Sequence, residues 1–99
     1  MARFDLYRPK RGPGLLLDVQ SHWLDTLPSR VVVPLLPPSP ALPAIRDLNP
    51  VLAVQGERLA MMTHYLTVVP HRELGRPIGN LAAEQDAISR ALDLLFTGF

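Results

Sequence analysis

Three histidines, His22, His64 and His71, are the side chains in this 99-residue sequence best suited to hold a metal or move a proton. They stand in separate segments, without an HxH or HExxH pair and without a carboxylate at matching spacing. A zinc site of the usual kind is therefore not written into any single element. His64 follows "MMT" at an expected strand end, where an exposed imidazole needs no function. A Ser-His-Asp relay could be drawn from Ser21, His22 and Asp25. Adjacent residues on a strand point to opposite faces, so Ser21 and His22 would not cooperate if the strand continues there. No GxSxG elbow occurs, and the six glycines begin neither a GxxxxGK nor a GxGxxG element. Cysteine is absent, which excludes disulfides, thiolate catalysis and Cys-based zinc sites. Met61-Met62 reads as part of a strand, one side chain in the core and one out, rather than as a soft metal site. The residues by themselves offer no recognisable active site, and the expectation is a protein with no catalytic residues, no metal and no cofactor.

The composition narrows the class further. Hydrophobic residues make up 47% and charged residues 19%, a folded balance rather than a disordered one. The length suits one domain over residues 1–99, stable enough to fold yet apt to gain from a partner subunit. Ten Lys+Arg against nine Asp+Glu leave a net charge of +1, too little for a general nucleic-acid or membrane binder. The local exception is the cluster Arg3, Arg8, Lys10 and Arg11, which is either a solvated edge or a surface for an acidic partner. "MARFDLYRPK" is charged throughout and lacks the apolar run of a signal peptide, and no stretch approaches a membrane span. The expected location is the cytoplasm.

The elements that would carry these residues are short. Eleven prolines punctuate the chain. "LLPPSPALP", with Pro37, Pro38, Pro40 and Pro43, must be an extended loop. "FDLY" opens the chain, and "LLLDVQS" follows as a strand with Leu15, Leu17 and Val19 on one side. "RVVVPLL" (30–36) is apolar enough for a strand covered on both faces, but Pro34 argues for an edge or a bulge. "PVLAVQGERLAMMT" is a hairpin turning at Gln55-Gly56, and "LTVVP" is a last short strand. "HRELGRPIG" is a loop. A helix is predicted over 81–96, capped by Asn80, with Leu81, Ile88, Leu92 and Leu95 as its apolar stripe, flanked by Ala91 and Phe96. Asp86 and Arg90 are spaced for an i,i+4 ion pair. Trp23, the single tryptophan, is either a core anchor or a half-exposed interface residue. Strands first and one helix last make an α+β fold, with the helix laid on an antiparallel sheet or small barrel.

The segment order carries a resemblance. "DVQS" (18–21), "VVVPL" (31–35), "LNPV" (48–51), "MMT" (61–63), "VVP" (68–70), a closing amphipathic helix and an end just beyond it run collinearly over essentially the whole chain. In that order they resemble the CcdB family of toxins. The resemblance implies an SH3-like small barrel with one C-terminal helix, assembled as a homodimer. It implies a non-enzymatic toxin that binds the DNA gyrase A subunit and traps the gyrase–DNA cleavage complex. A CcdA-like antitoxin would neutralise it through a disordered tail, and direct nucleic-acid binding would need that antitoxin. The tail would meet the basic loop at Arg8, Lys10 and Arg11.

The family's gyrase contact is its terminal Trp-Gly-Ile, which places Thr97, Gly98 and Phe99 at the corresponding positions here. Gly98 matches. Phe99 is bulkier than the aliphatic end, and Thr97 lacks the area and stacking face of a tryptophan. Losing such a hot-spot side chain costs at least ~2 kcal/mol, roughly 30-fold in affinity. A variant reading follows: a family fold that has lost gyrase poisoning and keeps antitoxin binding and operon regulation. The same ending also works as a plain helix stop, with Thr97 as C-cap, Gly98 left-handed and Phe99 packed on Leu94. Two other classes fit less well. A MazF/Kid-type messenger-RNA endoribonuclease would use Arg72 with Glu73, or His64, but a basic, aromatic-rich groove is missing. An interaction module docking through residues 37–43 is more simply a rigid connection.

Overall fold

The computed structural model describes residues 2–41 and 44–98. Seven strands precede one α-helix: β1 (Asp5–Tyr7), β2 (Leu15–Asp18), β3 (Ser29–Leu36), β4 (Val51–Val54), β5 (Glu57–Met61), β6 (Thr67–Pro70), β7 (Gly79–Asn80) and α1 (Gln85–Thr97). All the ladders are antiparallel, in the order β4-β5-β3-β2-β1-β7, with β6 also paired to β3. The sheet curls into a half-barrel closed by the helix, the α+β architecture of an SH3-like small barrel.

The longest strand, β3, is the hub. Its first half pairs with β6 (Val31 opposite Val68) and its last two residues pair with β5 (Leu35 opposite Met61), while β2 runs along its other edge. Pro34 therefore lies in a central strand, not at an edge. Its carbonyl accepts from the Met62 N–H at 2.9 Å, and N and C=O of one strand residue point to the same side. The missing N–H thus faces the point where β6 gives way to β5, where the ladder demands no donor. Both faces of β3 are covered: Val32 and Val33 are each fully buried.

One face of the sheet meets the helix. Leu6, Leu17, Val33, Leu35, Leu59 and Met61 pack there against Ile88, Ala91 and Leu92 of α1. Full burial of an Ile or Leu contributes about 1.5–3 kcal/mol. Met62 is buried as well as Met61, against the expectation of one methionine in and one out. The hairpin turns at Gln55 and Gly56 with φ of 51° and 83°, the two positive values of a type I′ turn.

The C-terminal region departs from the expected single helix. Residues Ala82–Glu84 form a 3-10 turn, and the α-helix begins only at Gln85. Asn80 belongs to β7, the true last strand; its Oδ1 accepts from the Ala82 N–H (2.7 Å) and its Nδ2 donates to Asp5 Oδ1 (2.8 Å). It caps the turn while tying it to β1, so tertiary pairing wins over helix propagation. Of the two residues expected to flank the stripe, Ala91 is buried and Phe96 is 68% exposed. The ion pairs among the described residues, Lys10–Glu73, Arg30–Asp18 and Arg30–Asp25, do not include Asp86 with Arg90.

Candidate functional site

The "DVQS" stretch ends β2 earlier than expected and builds a polar clamp. Asp18 Oδ1 accepts from the Gln20 N–H (3.0 Å), and Asp18 Oδ2 accepts from Arg30 Nε at 2.9 Å with Arg30 Nη2 in ion-pair contact at 2.7 Å. Gln20 donates from Nε2 to the Leu24 carbonyl and accepts at Oε1 from the Val31 N–H, both at 2.9 Å. Ser21 Oγ accepts from the Trp23 N–H at 3.2 Å, capping the 3-10 turn His22–Leu24. Arg30 Nη1 reaches Asp25 at 3.4 Å. Asp18 and Arg30 are wholly buried, and burial raises the Asp18 carboxyl pKa while the Gln20 N–H and Arg30 oppose that rise. Beside them the Tyr7 hydroxyl is buried without a hydrogen-bond partner among the described residues. Burial first, then the charges of Asp5 and Asp18, push its pKa up to about 12.

The clamp's visible product is a pinned turn that holds Trp23 outward, 82% exposed, with the His22 ring tilted against it at 4.9 Å. Neither a core anchor nor a half-exposed position describes this tryptophan. Ser21, His22 and Asp25 are each engaged elsewhere, and they form no relay. His64 is exposed on the turn Thr63–Tyr65, near Asn49, and His71 starts the turn His71–Glu73. Among the described residues no group of three His, Cys, Asp or Glu could hold a metal. No helix of the described chain is long and apolar enough to cross a membrane.

The helix tip is locked. Gly98 adopts φ 81° and its N–H donates to the Leu94 carbonyl at 3.1 Å, the single bond of a left-handed helix stop. Thr97 is still helical, not the residue after the helix, and its Oγ1 donates to the Asp93 carbonyl at 2.7 Å. Phe99, and with it the expected packing on Leu94, lies outside the described residues. Behind the tip an apolar cleft of about 430 Å³ is bounded by Val19, Leu24, Leu66, Leu92 and Phe96.

The basic loop forms a second cleft of about 430 Å³. Arg8, Lys10 and Arg11 make its lip, and Leu16, Val69 and Leu74 its half-buried floor. Leu16 and Val69 share the sheet face of Asp18 and Arg30, whereas Val19 and Val31 line the tip cleft from the other face. The two clefts have no lining residue in common. Arg3, the fourth cation of the cluster, is separate from this lip: it lies over the Phe4 ring at 4.7 Å and donates to the Val19 carbonyl. Glu73 and Leu74, which sequence spacing did not connect with the loop, complete the basic cleft; only the return of the chain after β6 brings them there.

The family model described as CcdB protein matches residues 3–98 of this 99-residue chain. The match spans every strand, the helix and the pinned turn, and it stops at Gly98 of the tip. The chain belongs to the CcdB protein family, a family of toxins of the toxin–antitoxin type.

Proposed function

We propose that this protein is a toxin that binds the DNA gyrase A subunit and traps the gyrase–DNA cleavage complex, with Thr97, Gly98 and Phe99 as contact residues. It acts by binding rather than by catalysis, as a homodimer in the cytoplasm, and a CcdA-like antitoxin neutralises it. The observation that carries this reading is the tip of α1: in a chain of this family the helix stops at a capped, solvent-exposed Gly98 with Phe96 exposed beside it. A fixed apolar projection binds without the entropy cost of ordering a loose tail. Exposed Trp23, Leu24, Leu27 and Val68 support further partner contacts, including the dimer. Arg8, Lys10 and Arg11 suit the acidic tail of the antitoxin, and their position on the opposite sheet face supports antitoxin access while the tip is engaged.

A second reading has its own observation. The Thr97 hydroxyl donates its proton to the Asp93 carbonyl, so threonine offers a partner only an acceptor oxygen and a methyl group in place of an aromatic face. On that reading the fold and the antitoxin site persist while poisoning is lost. A gyrase–DNA cleavage assay with ATP and the host's own gyrase separates the two. Linearised DNA from the natural protein supports the toxin; linearised DNA only from Thr97→Trp supports the lost-poison reading. If neither variant yields it, gyrase is not the target.

A further inference from the structure

We propose that Glu73 is a stand-in carboxylate for the basic cleft: it holds Lys10 in the free protein and yields it when an acidic peptide docks. This rests on the reading of the cleft as the site of an acidic peptide tail. Lys10 Nζ lies 4.0 Å from Glu73 Oε1, and both side chains are largely exposed. Such a contact is loose and readily exchanged. Among the described residues, Arg8 and Arg11 make no ion pair, so the lip presents three cations against one carboxylate.

The contact crosses the cleft. Lys10 sits on the loop after β1, and Glu73 on the turn after β6, which is fixed by the His71 N–H on the Pro28 carbonyl (2.7 Å). A ligand chain lying on Leu16 and Val69 has to part these two side chains. Its own carboxylate then replaces that of Glu73 on Lys10, and the residue left facing Glu73 must be neutral or basic. Glu73 thereby weakens binding of any acidic chain and fixes the register of those that do bind.

The floor decides the occupant. Leu16, Val69 and Leu74 are aliphatic and call for an apolar side chain, and no aromatic lines the cleft for a base to stack on. Glu73 also opposes a phosphate backbone. The fitting partner is an acidic peptide segment carrying at least one apolar side chain.

Fluorescence anisotropy tests this with a short labelled Glu/Leu peptide, a Glu/Ser peptide of equal charge and a single-stranded oligonucleotide. Each is titrated at low salt into the wild type, Glu73→Gln, Lys10→Gln and the double variant. All the substituted residues are on the surface, so folding is preserved. The Glu/Leu peptide should bind best, and Glu73→Gln should tighten it by up to about fivefold. That gain should be clearly smaller in the Lys10→Gln background, where only the direct repulsion between Glu73 and the peptide is left to relieve. Peptide binding without any tightening, or equal tightening in both backgrounds, overturns the proposal and leaves the acidic-tail reading standing. Tighter binding of the oligonucleotide, or no binding of either peptide to any variant, overturns both.

Discussion

Arg30 reaches from β3 to Asp18 at the end of β2, with Nη2 2.7 Å and Nε 2.9 Å from one carboxylate oxygen and both side chains out of solvent. The pair holds the turn that carries Trp23, because the other Asp18 oxygen accepts the Gln20 N–H and Gln20 in turn holds Leu24 and Val31.

Removing one partner leaves the other charge buried and alone. Arg30→Met should cost about 3–5 kcal/mol in urea denaturation at neutral pH. The double variant Arg30→Met/Asp18→Leu should cost less than the sum of its singles, although it abandons the Gln20 N–H. Without Arg30, the Asp18 pKa lies further above its ordinary 3.8. A raised folded pKa contributes stability that is present below the unfolded value and lost as pH rises. The Arg30→Met deficit should therefore shrink as pH falls towards about 4.

Tyr7 gives a cleaner pH signature. Its folded pKa of about 12 stands above the model-compound value of 10.0. The folded state keeps the proton that the unfolded state loses, so this contribution is intact below pH 10 and declines as pH rises towards 12. A shift of that size is on the order of 3 kcal/mol at full effect. Tyr7→Phe removes an unpartnered hydroxyl, so it should change stability at pH 7 by less than about 1 kcal/mol. Denaturation of both proteins between pH 9 and 12 should show the alkaline loss lessened in the variant.

Glycine substitutions should separate strain from collision. Both Gly14 and Gly98 have positive φ, but a Cβ on Gly14 would in addition collide with the Leu35 carbonyl oxygen, a backbone atom in the middle of the sheet. At Gly98 nothing lies within 4 Å, and only the positive φ resists. Gly98→Ala should cost about 1 kcal/mol and Gly14→Ala about 3 kcal/mol or more, measured by thermal unfolding.

The single tryptophan reports on its own exposure. In the dilute monomer its emission should match solvent-exposed indole and shift little on unfolding. Trp23→Ala should alter stability by less than about 0.5 kcal/mol. A blue-shifted native emission would mean that a second copy or another partner covers the turn.

Local patterns in the sequence determined much of this protein. The alternation of Leu15, Leu17 and Val19, the Gln55-Gly56 turn, the Ile88–Leu92 stripe and the left-handed Gly98 are all settled within a few residues, where periodicity and φ preference act. The collinear segments likewise pointed to the family that the match over residues 3–98 bears out. Pairing between distant segments decided the rest. Pro34 is tolerated centrally because β3 changes partners there, and Asn80 is drawn into β7 by Asp5, which delays the helix. Asp18 meets Arg30, and Lys10 meets Glu73, across gaps of 12 and 63 positions that carry no spacing rule. Polar contacts of that range depend on strand register, and register is a property of the whole sheet.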